Sequence, residues 1–225
     1  MPLHFDSKEF GNRRNRLLEL MAGSELDGML IFRQESMFYL TGYDSFGYVF
    51  FQCLFLGGDG KLILLTRVPD LRQAQNTSIV EDIRIWVDGP EVNPALQLKE
   101  ILREYGCAGK RLGVEYDSYG LTAKNGKMLD SALDGFCELI DASGMVNRLR
   151  VVKSPEELVY VRKAAELADD ALDEAHRLVK DGCDEGELLA AMQGAVFRGG
   201  GDYPGNEFII GSGENALLCR YFSGR

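Results

Sequence analysis

The 225-residue sequence predicts an α/β fold: a mixed β-sheet flanked by helices, followed by the first helices and strand of a second domain. Three observations predict it. Two β-rich apolar runs, at 48–56 and 61–66, flank the turn Gly57-Gly58-Asp59-Gly60, which is a hairpin signal. Other strand-like runs are separated by helical patterns, so helix-linked strands join the hairpin in one mixed sheet. After residue 147 the strand signals give way to two long helices, each opened by a capping pattern.

Taken in order, residues 7–22 read as an amphipathic helix, with Phe10, Leu17, Leu18 and Met21 near helical spacing and Arg13, Arg14 and Arg16 between them. Residues 28–32 (GMLIF) form a short buried strand, and 36–43 (SMFYLTGY) a helical turn ending near Gly42. The hairpin follows. Residues 79–87 alternate apolar side chains from Ile83 to Val87, as a strand does. A helix at 93–105 has Pro94 in its first turn. Strands at 111–116 and 136–141 bracket a helix at 122–133.

Ser154 then caps a helix with Pro155 at its first position and Glu157 completing a capping box. Its apolar face is Leu158, Val161, Ala165, Ala168, Leu172, Ala175 and Val179, and Gly182 ends it. Asp184 and Glu187 repeat the capping pattern for a helix with Leu188, Leu189, Met192 and Val196 inward. The triplet 199–201 (GGG) stops that helix, and 207–210 (EFII) begins a strand. The expected domains are 1–147 and 148–225. The second should be incomplete, because one strand and two helices cannot cover their own apolar faces.

Composition narrows the function. A net charge of −10 is unsuited to phosphate backbones, so nucleic acid is not an expected partner. No apolar run is long enough to span a bilayer, and no signal peptide is visible at the N-terminus. The five cysteines, Cys53, Cys107, Cys137, Cys183 and Cys219, are widely spaced and odd in number. Reduced thiols in a cytoplasmic protein are expected.

No autonomous active site is visible. The two histidines, His4 and His176, are far apart, which excludes HExxH-type sites. His176 follows Leu172 by four residues and reads as a partly buried packing side chain. Glu156, Glu157, Asp184, Glu185 and Glu187 favour the positive ends of helices. Gly211-Ser212-Gly213 lies in neither a phosphate-binding loop pattern nor GxSxG, and Cys219 has no histidine placed to activate it.

Three segments carry a resemblance. NRLRVVKSPEELVYVRKAAELADDAL (147–172) with LVKDGCDEGELLAAM (178–192) is similar to the linker and first catalytic-domain helices of the creatinase/prolidase family. FIIGSGENALLCRY (208–221) resembles that family's "F…SGxNxxxxHY" segment, and FYLTGY (38–43) its accessory-domain "YLTGF/Y" motif. The resemblance implies a creatinase-type N-terminal accessory domain and the beginning of a pita-bread α+β catalytic domain.

It further implies a hydrolase of C–N bonds, amide or Xaa-Pro-like, acting on a small molecule or short peptide, and a homodimer. The alternative is a non-catalytic pita-bread binding or dimerisation protein. Family members that hold two divalent metals (Mn, Co or Zn) use an Asp, Asp, His, Glu, Glu set. Those positions would all lie beyond Arg225, so this chain alone should bind no metal and be inactive. Substrate contacts are expected at Phe208, Arg220 and Tyr221, and at Tyr43 and Asp44 of the accessory domain. Arg220 stands where the family usually has His. A guanidinium cannot shuttle a proton near neutral pH but can clamp a carboxylate. The segment 206–225 looks most like the ectoine-hydrolase branch.

Overall fold

The computed structural model describes residues 3–218. The chain divides between Val152 and Lys153 into two compact units.

The first unit begins with helix α1 (Ser7–Gly23), capped by Asp6, whose side chain accepts from Glu9 N. Strand β1 (Gly28–Ile31) and helix α2 (Gln34–Thr41) follow, then the hairpin β2 (Cys53–Gly57) and β3 (Leu62–Arg67). Helix α3 (Leu71–Thr77) leads to β4 (Asp82–Trp86), α4 (Pro94–Glu104) to β5 (Arg111–Val114), and α5 (Ala123–Leu133) to β6 (Glu138–Asp141). Helix α6 (Met145–Val151) closes the unit. The strand order is β4-β3-β2-β1-β5-β6. Strand β2 runs antiparallel to β1 and β3, while β3–β4, β1–β5 and β5–β6 are parallel pairs. The mixed sheet is therefore as the sequence predicts.

The sheet separates two cores. Leu30, Phe55, Ile63 and Leu65 face one side with α4 and α5, through Leu98, Leu102, Leu129 and Leu133. Met29, Ile31, Leu54 and Leu64 face the other with α1, α2 and α6, through Leu17, Met37, Leu40 and Val146. Successive side chains alternate between the faces, and with both faces covered every residue of β1 and β2 is buried. Gly28 must lack a side chain, since a Cβ there would meet the Phe55 ring at 2.8 Å.

Several expectations are corrected. The strand expected from residue 48 starts only at Cys53, because 47–49 form a 3-10 turn and Phe46, Val49 and Phe50 are exposed. Arg13 is buried, its Nε donating to Glu9 Oε1 at 2.9 Å and Nη1 to Tyr39 O at 3.0 Å. Helices α3 and α6 are additional elements. Helix α6 spans position 147 and buries Met145, Val146 and Leu149 in the first unit.

In the second unit, α7 (Pro155–Leu178) and α8 (Glu185–Arg198) form a helical hairpin with Gly182 left-handed (φ +77°) in the connection. The capping box is present: Glu157 N donates to Ser154 Oγ at 3.1 Å and Ser154 N to Glu157 Oε2 at 2.9 Å. The buried side of α7 differs from the expected one. Leu167 and Ala171 are covered, whereas Val161, Leu172 and Val179 are 47%, 50% and 62% exposed. His176 is exposed in the last turn, not partly buried, because it lies off the covered face. Residues 207–210 form no strand, since no other strand of the unit is available among the described residues to share a ladder.

Candidate functional site

The accessory-domain motif builds a helix exit. Thr41 Oγ1 donates to Met37 O at 2.6 Å and accepts from Tyr43 N at 3.1 Å. Gly42 takes the left-handed conformation (φ +80°) that ends α2, and its N–H returns to Phe38 O at 2.8 Å. A Cβ on Gly42 would meet Thr77 O at 2.9 Å, so space as well as backbone angle requires glycine.

Tyr43, 1% exposed, turns into the core. Its hydroxyl donates to Gln52 Oε1 at 3.2 Å and lies 3.3 Å from Thr66 Oγ1. Burial pushes the phenol above its ordinary range. Asp44 is exposed, with its N–H on Thr77 Oγ1 at 3.2 Å. A small cleft of about 90 Å³ opens beside it, lined by His4, Gln73, Asn76 and Thr77, several times smaller than cavities that enclose drug-sized ligands. The loop beyond is pinned from beneath. Gly47 N donates to Ser45 Oγ at 2.7 Å, Ser45 Oγ donates to Asp70 Oδ1 at 3.3 Å, and the Arg67 guanidinium lies 3.3 Å from the Phe50 ring centroid. Phe46 is left 81% exposed at the tip.

A second polar cluster sits at the carboxyl ends of β1 and β5. The helices that follow these two parallel strands, α2 and α5, pack on opposite faces, which is where open α/β sheets usually hold ligands. Here the protein fills the place itself. Glu115 is fully buried, its Oε1 accepting from Ser36 Oγ at 2.5 Å and its Oε2 from Arg33 N at 3.0 Å at the start of α2. Burial raises its carboxyl above the ordinary glutamate range, with the hydrogen bond from Ser36 and then that from Arg33 opposing.

In the second unit, the segment after α8 folds into a compact turn (Gly213–Leu217, 3-10). Gly211 approaches so closely that a Cβ would meet Asn215 O at 2.6 Å, and Gly213 is left-handed (φ +55°). Asn215 N donates to Ser212 O at 3.1 Å. The GSGEN sequence is therefore read out as close approach, tie and positive φ. Ser212 N and Oγ both donate to Glu185 Oε1, at 2.7 and 2.5 Å. Phe208 is half-buried just before this turn. Arg220 and Tyr221 lie outside the described residues. Tyr43 and Asp44 thus belong to the first unit and Phe208 to the second. Among the described residues no three His, Cys, Asp or Glu side chains are grouped to hold a metal ion, so these residues do not fit a divalent pair.

Sequence reasoning missed Asp70, Glu115 and the Glu185–Ser212 tie. The last joins positions 27 residues apart, which no helical or strand period links.

Comparison with known proteins covers both units. Residues 13–152 match the Creatinase/Prolidase N-terminal domain and 159–225 match Metallopeptidase family M24. Ectoine hydrolase of Halomonas elongata is 27% identical over 95% of this chain and 57% of its own length. Xaa-Pro aminopeptidase of Escherichia coli is 28% identical over 95% of this chain and 54% of its own. The solved Xaa-Pro dipeptidase from Bacillus anthracis shares the fold, with a TM-score of 0.69 at 20% identity over 84% of this chain and 49% of that one. The chain spans about half the length of the curated relatives it matches.

Proposed function

The chain belongs to the creatinase/prolidase family, and from that premise we propose that it is the N-terminal portion of a hydrolase cleaving a C–N bond, amide or Xaa-Pro-like, in a small or short-peptide substrate. The observation that carries this is the pair of family matches, which run in order through both units. Phe208, Arg220 and Tyr221 are proposed substrate contacts, with the Arg220 guanidinium clamping a carboxylate. The similarity to ectoine hydrolase supports an ectoine-like substrate, and the similarity to Xaa-Pro aminopeptidase at equal coverage supports the Xaa-Pro alternative. Asp44 is the proposed accessory-domain contact, supported by its exposure, whereas Tyr43 is buried in the core.

Any Mn, Co or Zn pair of the enzyme is held by residues other than those described here. No described helix is long and apolar enough to cross a membrane. A cytoplasmic homodimer is part of the proposal. The free Cys53, Cys107, Cys137 and Cys183 agree with a reducing compartment, and the exposed Phe46 loop with a subunit contact.

The test is turnover by the complete enzyme of ectoine-like cyclic substrates against Xaa-Pro dipeptides. Hydrolysis is expected, preferring the former, with Arg220→Ala raising KM about tenfold or more for a carboxylated substrate. The 225-residue chain alone should show no peptidase activity with added Mn²⁺ or Co²⁺. An enzyme that turns over neither class overturns the reading in favour of a non-catalytic binding or dimerisation protein.

A further inference from the structure

Two thiols of the first unit share one part of its core. Cys107 is buried between the sheet and the α4–α5 layer, and Cys137, the residue before β6, packs against that same cluster. They stand thirty positions apart in the sequence, and the backbone closes the gap. Phe136 O accepts from Gly109 N at 2.7 Å and Lys110 O from Glu138 N at 2.9 Å, so Cys137 lies across from residues 109–110. Residues 107–110 form a turn, with Lys110 N donating to Cys107 O at 3.1 Å and Gly109 left-handed (φ +70°). A strand neighbour is about 5 Å away and a turn spans less than about 7 Å, which brings the two cysteine backbones toward the separation a disulfide bridges. The thiols also feel each other. Burial pushes Cys107 up to about 11, and the next largest cause is the charge that Cys137 would carry. Cys53 does not compete, since it lies at the other end of the sheet, beside the carboxyl end of β1.

We propose that Cys107 and Cys137 form an oxidation site, a dithiol that hydrogen peroxide converts reversibly to a disulfide bracing the starts of β5 and β6. Cys137 reacts first, because it is the half-buried member. Burial raises its thiol, and the Lys99 ammonium opposes that rise. Lys99 and Arg103 of α4 lie 5.6 and 5.7 Å from the ring centroid of the adjoining Phe136, so cations flank the sulfur that must become a thiolate. The Cys137 thiolate attacks one peroxide oxygen and the O–O bond breaks. Hydroxide leaves and is protonated to water, and Cys137 becomes a sulfenic acid. Cys107 then loses its proton, and its sulfur attacks that of Cys137. The S–O bond breaks, a second water leaves and the S–S bond forms. Two thiols lose two electrons and one peroxide becomes two waters. In a reducing compartment such a bond is transient, which suits a response to oxidation.

Peptide mapping of the 225-residue chain tests the pairing. The folded chain is treated with millimolar hydrogen peroxide, alkylated with iodoacetamide and digested with trypsin without reduction. The fragment 104–110, which holds Cys107, should be joined to 128–148, which holds Cys137, and dithiothreitol should release both. In Cys107→Ser the sulfenic acid of Cys137 has no resolving thiol and should be trapped by dimedone. In Cys137→Ser the buried Cys107 should stay a thiol at the same dose. The link closes a long loop in the unfolded chain, so oxidation should raise the urea midpoint by about 1 M, and neither variant should show that rise.

Three results overturn the pairing in the wild-type chain, whether or not the variants fold. One is Cys137 carried on to sulfinic acid with Cys107 still alkylated. Another is either cysteine linked to a different cysteine or only to a second chain. The last is a 107–137 link that forms in urea and not in the folded protein. A link that forms as expected but leaves the urea midpoint unchanged or lower overturns the bracing role. None of these outcomes depends on the hydrolase reading, since the site lies wholly in the first unit.

Discussion

Every residue of β1 and β2 is buried, whereas the 24-residue helix α7 buries only Leu167 and Ala171. The first unit places apolar layers on both sides of its sheet, and residues far apart in sequence hold each other there. The second unit relies on local devices: a capping box at Ser154, an Asx cap at Asp184 and a left-handed Gly182 between two helices. Equally apolar residues therefore differ in worth. A leucine in the sheet excludes water from a shared core, while Leu172 keeps half its surface in solvent.

That contrast can be broken most directly at Leu30. Leu30→Ala leaves a cavity between the sheet and the α4–α5 layer and should cost about 3–5 kcal/mol, read as a fall in the urea midpoint. Glu115→Ala comes next. It strips the Ser36 hydroxyl and the Arg33 amide of their acceptor inside the first unit, and should cost about 2–3 kcal/mol.

The same carboxyl gives a pH test with a definite sign. Burial raises its folded pKa, so the folded state holds that proton more tightly than the unfolded chain does. Its contribution is complete below the ordinary glutamate value and is lost as pH rises through the folded value. As pH rises from the ordinary glutamate value through the raised folded one, wild type should lose stability relative to Glu115→Gln. A difference that stays flat or moves the other way contradicts the burial argument. Asp27, Asp82 and Asp141, all lowered by hydrogen bonds, act in the opposite direction in both proteins and cancel in that comparison.

In the second unit the effects are smaller. Ser154→Ala should cost about 1 kcal/mol and show first as lost exchange protection in the opening turn of α7. Leu172→Gln should change stability by less than about 0.5 kcal/mol. If it cost as much as Leu30→Ala, the distinction between the two units would be gone.

The elements legible in the sequence are those whose cause is local or strictly periodic. The GGDG turn fixes the hairpin because Gly60 supplies the left-handed residue (φ +86°), and the apolar runs of β1 to β3 follow from two-sided burial. Ser154-Pro155-Glu156-Glu157 fixes the start of α7 to the residue.

The rest depends on distant partners. Helix α3 buries only Ala74 and so has no apolar stripe to read. Residues 48–52 have strand composition, but Asp70 and Arg67, brought in by the end of β3, hold their neighbourhood as a loop. On α7 the sequence offers two apolar faces, Val161-Ala165-Ala168-Leu172 and Leu167-Ala171, and only the position of α8 chooses between them. The candidate site divides the same way. YLTGY is readable as a helix end at Gly42, whereas the carboxylates Asp70 and Glu185 are identified only by the side chains they meet in three dimensions.

The sole tryptophan, Trp86, ends β4 in the first unit, nearly buried, with its indole N–H donating to Phe51 O at 2.9 Å. Tryptophan fluorescence, excited selectively over tyrosine, is therefore a spectroscopic window on the sheet, since the helical hairpin holds no tryptophan. Far-ultraviolet dichroism sees α7 and α8 as well, so the gap between the two optical transitions measures how independently the halves of the chain melt.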